Sequence, residues 1–123
     1  MTKNNAPVEL LVCTKCRRAD EVGGEERPGS ILYRRLSESG IEAVKITPVE
    51  CLSNCNRGCT IALRGPGRWT YIYGNLDEGV DLDMIREGTR KYLVTPDGLV
   101  AWRDRPEHFR KNCIARIPPM ETA

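Results

Sequence analysis

Cysteine placement constrains this chain more than any other feature. Six of its 123 residues are cysteine, and five of them fall into two groups. Cys13 and Cys16 form a C-x-x-C pair, and Cys51, Cys55 and Cys59 follow one another with three residues between each. Cys113 stands apart near the end. The first residues, Met1-Thr2-Lys3-Asn4-Asn5-Ala6-Pro7, are polar with no apolar signal region, and no apolar run is long enough to span a bilayer. The expected location is therefore the cytoplasm. In that reducing compartment clustered cysteines point to metal ligands or redox thiols before structural disulfides.

The periodicity around the cysteines predicts an ordered domain over residues 8–93. A disordered tail at 1–7 precedes it, and an irregular extension at 94–123 packs back onto it. Val8, Leu10 and Val12 alternate as a strand that ends at Cys13. Gly23-Gly24 and their charged neighbours read as a loop. Pro28 opens a helical pattern with Ile31, Leu32 and Leu36 on one face and Gly40 at its stop. Ile41 to Ile46 reads as a second strand, ended by Thr47-Pro48. After the second cysteine group, Thr60 to Arg64 and Trp69 to Tyr73 read as strands joined by a Gly65-Pro66-Gly67 turn. Asp81 can cap a second helix carrying Leu82, Ile85, Thr89, Tyr92 and Leu93. The order strand, helix, strand, cysteine loop, hairpin, helix predicts an α/β, thioredoxin-like fold with a mixed four-stranded sheet. Its first two strands would be parallel and its last two antiparallel.

That fold would carry Cys13 and the second cysteine group to the same edge of the sheet. Thiolates converging from two separate stretches are how a chain surrounds a metal centre. Lys15, Arg17, Arg18 and Arg57 interleave with the cysteines and would offset thiolate charge. Gly58 would let backbone N–H groups approach the sulfurs. Three chemistries use such thiolates: an iron–sulfur cluster, a zinc site for structure or delivery, and a thiol–disulfide oxidoreductase working through the Cys13–Cys16 pair. The last leaves the three later cysteines idle. A Rieske centre needs two histidines, and His108 is the only one in the chain.

Cys51-Leu52-Ser53-Asn54-Cys55-Asn56-Arg57-Gly58 resembles the C-L-x-x-C-x-x-G signature of the thioredoxin-like [2Fe–2S] ferredoxins. Over nearly its whole length the chain also resembles an uncharacterised bacterial family of small predicted metal-binding proteins. The matching stretches are Cys13-Thr14-Lys15-Cys16-Arg17-Arg18, the cysteine loop, Trp69-Thr70-Tyr71, Tyr73-Gly74 and Ala115-Arg116-Ile117-Pro118-Pro119. The resemblance implies a [2Fe–2S] cluster on Cys13, Cys16, Cys51 and Cys55 and one-electron exchange with redox partner proteins, with no catalysis of its own. It also makes a homodimer the candidate assembly. The ferredoxins usually space their first two ligands more widely than C-x-x-C, and often have proline where this chain has Cys59. Cys59 is thus the alternative fourth ligand to Cys16.

The remaining residues suggest packing and solvation. The net charge of +2 comes from interspersed acids and bases, and phenylalanine occurs once, so neither nucleic acid nor membrane is an expected partner. Trp69, Tyr71 and Tyr73 would share one packed strand face. Cys113 reads as a buried inert thiol, His108 as a solvated loop residue, and the basic tail residues Arg103, Arg105, Arg110, Lys111 and Arg116 as a solvated surface. No carboxylate pair or nucleophilic triad is evident.

Overall fold

A computed structural model describes residues 8–14, 28–50 and 58–119. Strand β1 (Val8–Cys13) is followed by helix α1 (Pro28–Ser39) and strand β2 (Val44–Val49). Strands β3 (Cys59–Arg64) and β4 (Thr70–Leu76) come next, then helix α2 (Leu82–Leu93). A 3-10 turn at Trp102–Asp104, a short helix α3 (Glu107–Lys111) and strand β5 (Cys113–Ile117) complete the order. One sheet runs β2-β1-β3-β4-β5. The β1–β2 pair is parallel, and all other pairs are antiparallel.

Alternation along the strands decides which side is the core. Val8, Leu10 and Val12 of β1, Ile61 and Leu63 of β3, and Tyr71 and Tyr73 of β4 join one buried cluster with Leu32 and Leu36 of α1, Ile85 and Tyr92 of α2, and Phe109 of α3. The Tyr73 and Phe109 rings stack at 3.8 Å, and Tyr92 meets Tyr71 edge-on at 6.1 Å. All three helices therefore cover this one face. The other face carries polar partners across the strands. Thr47 Oγ1 donates to Glu9 at 2.6 Å, and Arg64 Nε donates to the same carboxylate at 2.8 Å.

Helix α1 begins at Pro28, where a missing N–H costs nothing, and ends where Gly40 takes φ +68° and donates its N–H to Leu36 O. Asp81 occupies the α2 N-cap position but makes no side-chain cap bond there; its Oδ2 accepts the Asp77 N–H at 2.8 Å. That carboxylate holds the β4–α2 loop in place of the helix end.

Two expectations need correction. The sheet has five strands, not four, because Cys113–Ile117 pairs with the outer edge of β4. The extension is thus not irregular: β4 offers unpaired backbone groups, and a five-residue segment before the Pro118-Pro119 stop satisfies them. Strand β2 also lies later than Ile41 to Ile46. Ala43 adopts φ +67° and Val44 N–H bonds to Ile41 O, so Ile41 to Ala43 form a turn and the strand continues through Pro48. As β2 lies at the edge of the sheet, a proline there removes no ladder bond that an inner strand would need.

Candidate metal centre

Parallel pairing sets the geometry of the cysteine-bearing edge. Because β1 and β2 run the same way, with Cys13 opposite Val49, both strands finish at one edge. The Thr14 N–H donates to Val49 O at 2.8 Å, and its hydroxyl donates to the same oxygen at 3.2 Å. The Cys13 Sγ lies 3.6 Å from the carbonyl oxygen of Glu50. Cys13 is fully buried there. Helix α1 closes the other side: a Cβ placed on Gly29 would stand 2.0 Å from the Cys13 carbonyl oxygen. This strand end is therefore held by a neighbouring strand and by the first turn of a helix.

Cys16, Cys51 and Cys55 lie outside the described residues, as do Lys15, Arg17, Arg18 and Arg57. The residues that flank them are described. Glu50, bonded to Cys51, touches Cys13 as above. Gly58, the last residue of the cysteine motif, adopts φ +77°, and a Cβ there would lie 3.0 Å from Asn75 Cα and 3.3 Å from Leu76 N. Only glycine can take that backbone shape so close to another strand. Its visible role is to seat the returning chain on the end of β4.

Cys59 opens β3, fully buried, opposite Leu76. Its side chain belongs to the helix-covered core with Ile61 and Leu63. Cys13 alternates with Leu11 and Glu9 on the opposite face. The two thiols thus sit at the same edge but on opposite sides of the sheet. Cys113 of β5 is half-buried, with Sγ 3.6 Å from Ala115 O. Burial pushes its thiol pKa up, against the opposing pull of Arg105 and Arg116. Among the described residues no three His, Cys, Asp or Glu side chains converge as a metal site.

Several side chains do more than their sequence context suggested. His108 is not a solvated loop residue: it sits in α3, and its Nε2 lies 2.8 Å from Asn75 O. The signal was available in Pro106-Glu107, a helix start, with Glu107 and Lys111 paired four residues apart. Three of the basic tail residues are also not simply solvated. The guanidinium groups of Arg105, Arg110 and Arg116 lie 5.2, 5.0 and 4.9 Å over the rings of Tyr71, Trp102 and Trp69. Tyr71 and Tyr73 do share a face, stacked at 5.7 Å. No helix among the described residues is long and apolar enough to cross a membrane.

The strand order, the parallel β1–β2 pair and the antiparallel hairpin define a thioredoxin-like α/β protein. Two solved structures share that architecture. One is described as a thioredoxin-like [2Fe–2S] ferredoxin from Aquifex aeolicus, at 17% identity and a TM-score of 0.53, over 93% of this chain and 97% of that one. The other is the wild-type thioredoxin-like [2Fe–2S] ferredoxin from the same organism, at 16% identity and a TM-score of 0.51, over 88% of this chain and 96% of that one. By sequence, the chain belongs to the family described as "Protein of unknown function (DUF1636)", whose model matches residues 10–119. No curated protein shows significant similarity to it.

Proposed function

We propose that this protein holds a [2Fe–2S] cluster on Cys13, Cys16, Cys51 and Cys55 and serves as a one-electron carrier between redox partner proteins in the reducing cytoplasm, with no bond chemistry of its own. One observation carries the reading. The Cys13 sulfur lies 3.6 Å from the carbonyl of Glu50, the residue joined to Cys51. The ends of β1 and β2 thus bring Cys13 beside the residue that precedes Cys51, which supports a shared centre for the two cysteine groups. A cluster needs thiolates that meet without long detours, and this donor set suits it. The description of both structural neighbours as [2Fe–2S] ferredoxins supports the same reading.

The opposite faces of Cys13 and Cys59 support Cys16 over Cys59 as the fourth ligand. Cys59 points into the helix-covered core, away from Cys13, so a ligand set that joins them would have to reach around the strand ends. Cys16 follows Cys13 by three residues, and the reading takes it as the fourth ligand. A bound cluster would supply a reversible one-electron couple. The chain's own residues would fix it beside Cys13, shield it from water, and set its potential through charge and N–H groups.

The test is chemical analysis of freshly purified protein. Iron and acid-labile sulfide in equal amounts, a red-brown colour, and a paramagnetic signal after one-electron reduction are expected. Serine at position 13, 16, 51 or 55 should abolish or alter the signal, whereas Cys59→Ala should retain it. A protein that remains colourless after reconstitution, or carries zinc without sulfide when iron is ample, overturns the reading. A reversible Cys13–Cys16 disulfide with dithiol turnover that survives Cys51→Ser would assign it to thiol chemistry instead.

A further inference from the structure

The cysteine loop re-enters the sheet at Gly58, and what Gly58 rests on is unusual. Asn75, near the end of β4, adopts φ +56°, a left-handed shape that asparagine tolerates better than most residues but seldom takes within a strand. Its Cα and C lie beside the open side of Gly58, where an added Cβ would come within 3.0 and 3.2 Å of them. Asn75 lies where the β3–β4 register shifts, and two residues from the C-terminal part of the chain bond to it there. The His108 ring donates from Nε2 to Asn75 O at 2.8 Å, because a carbonyl can only accept. Asn75 Nδ2 reaches Asn112 Oδ1 at 3.4 Å, while Asn112 Nδ2 donates back to His108 O at 3.1 Å. Asp81 Oδ2 stands 3.9 Å from the same His108 nitrogen.

The other ring nitrogen makes the assignment sharper. Nδ1 is buried with no hydrogen-bond partner among the described residues. An apolar side chain at 108 would therefore lose nothing on that side, and would relieve a buried unsatisfied group. Apart from the 3.9 Å approach of Asp81, the polar contact of this ring among the described residues is the Nε2–H on Asn75 O.

We infer that His108 is a positioning residue for the cysteine loop: by holding the left-handed turn at Asn75, it fixes where Gly58, and with it the chain leaving Cys55, joins the sheet. This rests on the cluster reading for its consequence, but not for its geometry. A residue 53 positions beyond Cys55 in sequence thus becomes part of the site's support.

The experiment uses His108→Phe, which keeps a ring and loses the donor, and His108→Gln, which restores an N–H donor without the ring. In the apo protein, the backbone amide and Cα resonances of Gly58 and Asn75 should move in H108F and return towards wild type in H108Q. In the reconstituted protein, H108F should lose its cluster several-fold faster than wild type and shift the paramagnetic signal of the reduced state, with H108Q close to wild type. Should H108F fail to fold, H108L takes its place; failure of both to fold would mean that the ring is a general packing element and overturn the inference. Unmoved Gly58 and Asn75 resonances, or H108Q behaving as H108F does, would also overturn it. If wild type itself takes up no cluster, the cluster reading falls, and the apo resonances still decide the role of His108.

Discussion

Replacing Gly29 by alanine tests how the first helix is seated on the end of β1, since two effects there have opposite signs. Gly29 is a buried residue of the first turn of α1 and does not occupy a left-handed conformation, so backbone freedom is not what requires glycine. Local helix propensity favours alanine over glycine by up to about 1 kcal/mol. Contact opposes it. The new Cβ would stand 2.0 Å from Cys13 O, 3.1 Å from Cys13 C and 3.2 Å from Thr14 C. Comfortable separations are roughly 3.5 Å, so the helix must retreat by about 1 Å or more. The obstructing atoms are backbone, and the next residue is tied down by the Thr14 bond to Val49. Such overpacking costs about 1–3 kcal/mol, and the rigidity of this strand end argues for the upper figure. Allowing for the gain in propensity, a net loss of about 2 kcal/mol should lower the melting temperature by roughly 8 °C in a domain of this size. Thermal unfolding of the apo protein, followed by circular dichroism, measures it. An unchanged or higher melting temperature would show that local propensity wins and that α1 is not seated on Cys13 as described.

Other substitutions separate the remaining supports. Phe109→Ala removes the ring stacked on Tyr73 and leaves a hole beside Gly88; a loss of about 3–5 kcal/mol is expected from the denaturant midpoint. Glu9 has its pKa lowered, first by the Thr47 hydroxyl, with burial opposing and the hydrogen bond and charge of Arg64 adding to the fall, so its stabilisation is complete above the ordinary carboxylate pKa and fades as pH falls through the lowered one. Glu9→Gln should therefore be less stable than wild type at neutral pH, with the gap closing on acidification in urea titrations. Burial pushes the Tyr92 phenol up to about 12 from its ordinary 10. The unfolded chain then releases that proton first, so stability should decline as pH rises from 10 to 12, and Tyr92→Phe should make that decline shallower, the buried Tyr73 phenol, also raised, supplying the rest. At neutral pH the same variant should lose about 1 kcal/mol with its bond to Trp69 O.

The elements with strong internal periodicity were legible from residue order alone. Val8, Leu10 and Val12 announced β1, Pro28 and Gly40 bracketed α1, and Leu82 to Leu93 formed α2 as expected. What escaped were features whose cause lies elsewhere in the chain. Strand β5 is stabilised by the free edge of β4, and nothing in Cys113-Ile114-Ala115-Arg116-Ile117 reports that edge. Pro48 argued for a strand end, a rule that holds for inner strands and lapses at the outside of a sheet. The opposed faces of Cys13 and Cys59 depend on register between β1 and β3, which their spacing does not carry. Asn75 sits in Tyr73-Gly74-Asn75-Leu76, which gives no hint of the His108 that holds it.

Both flanks of the sheet have a further consequence. An open row of amide donors and acceptors is a template on which other chains stack into ribbons. On one flank, Pro48 removes an amide donor and Lys45 presents its charge outward. On the other, β5 is only five residues long, and its pairing with β4 is irregular beside Tyr73. Among the described residues neither flank offers a long, straight, apolar rail. The protein therefore carries its own guard against fibrillar growth, and it should remain dispersed at concentrations where an unguarded five-stranded sheet would polymerise.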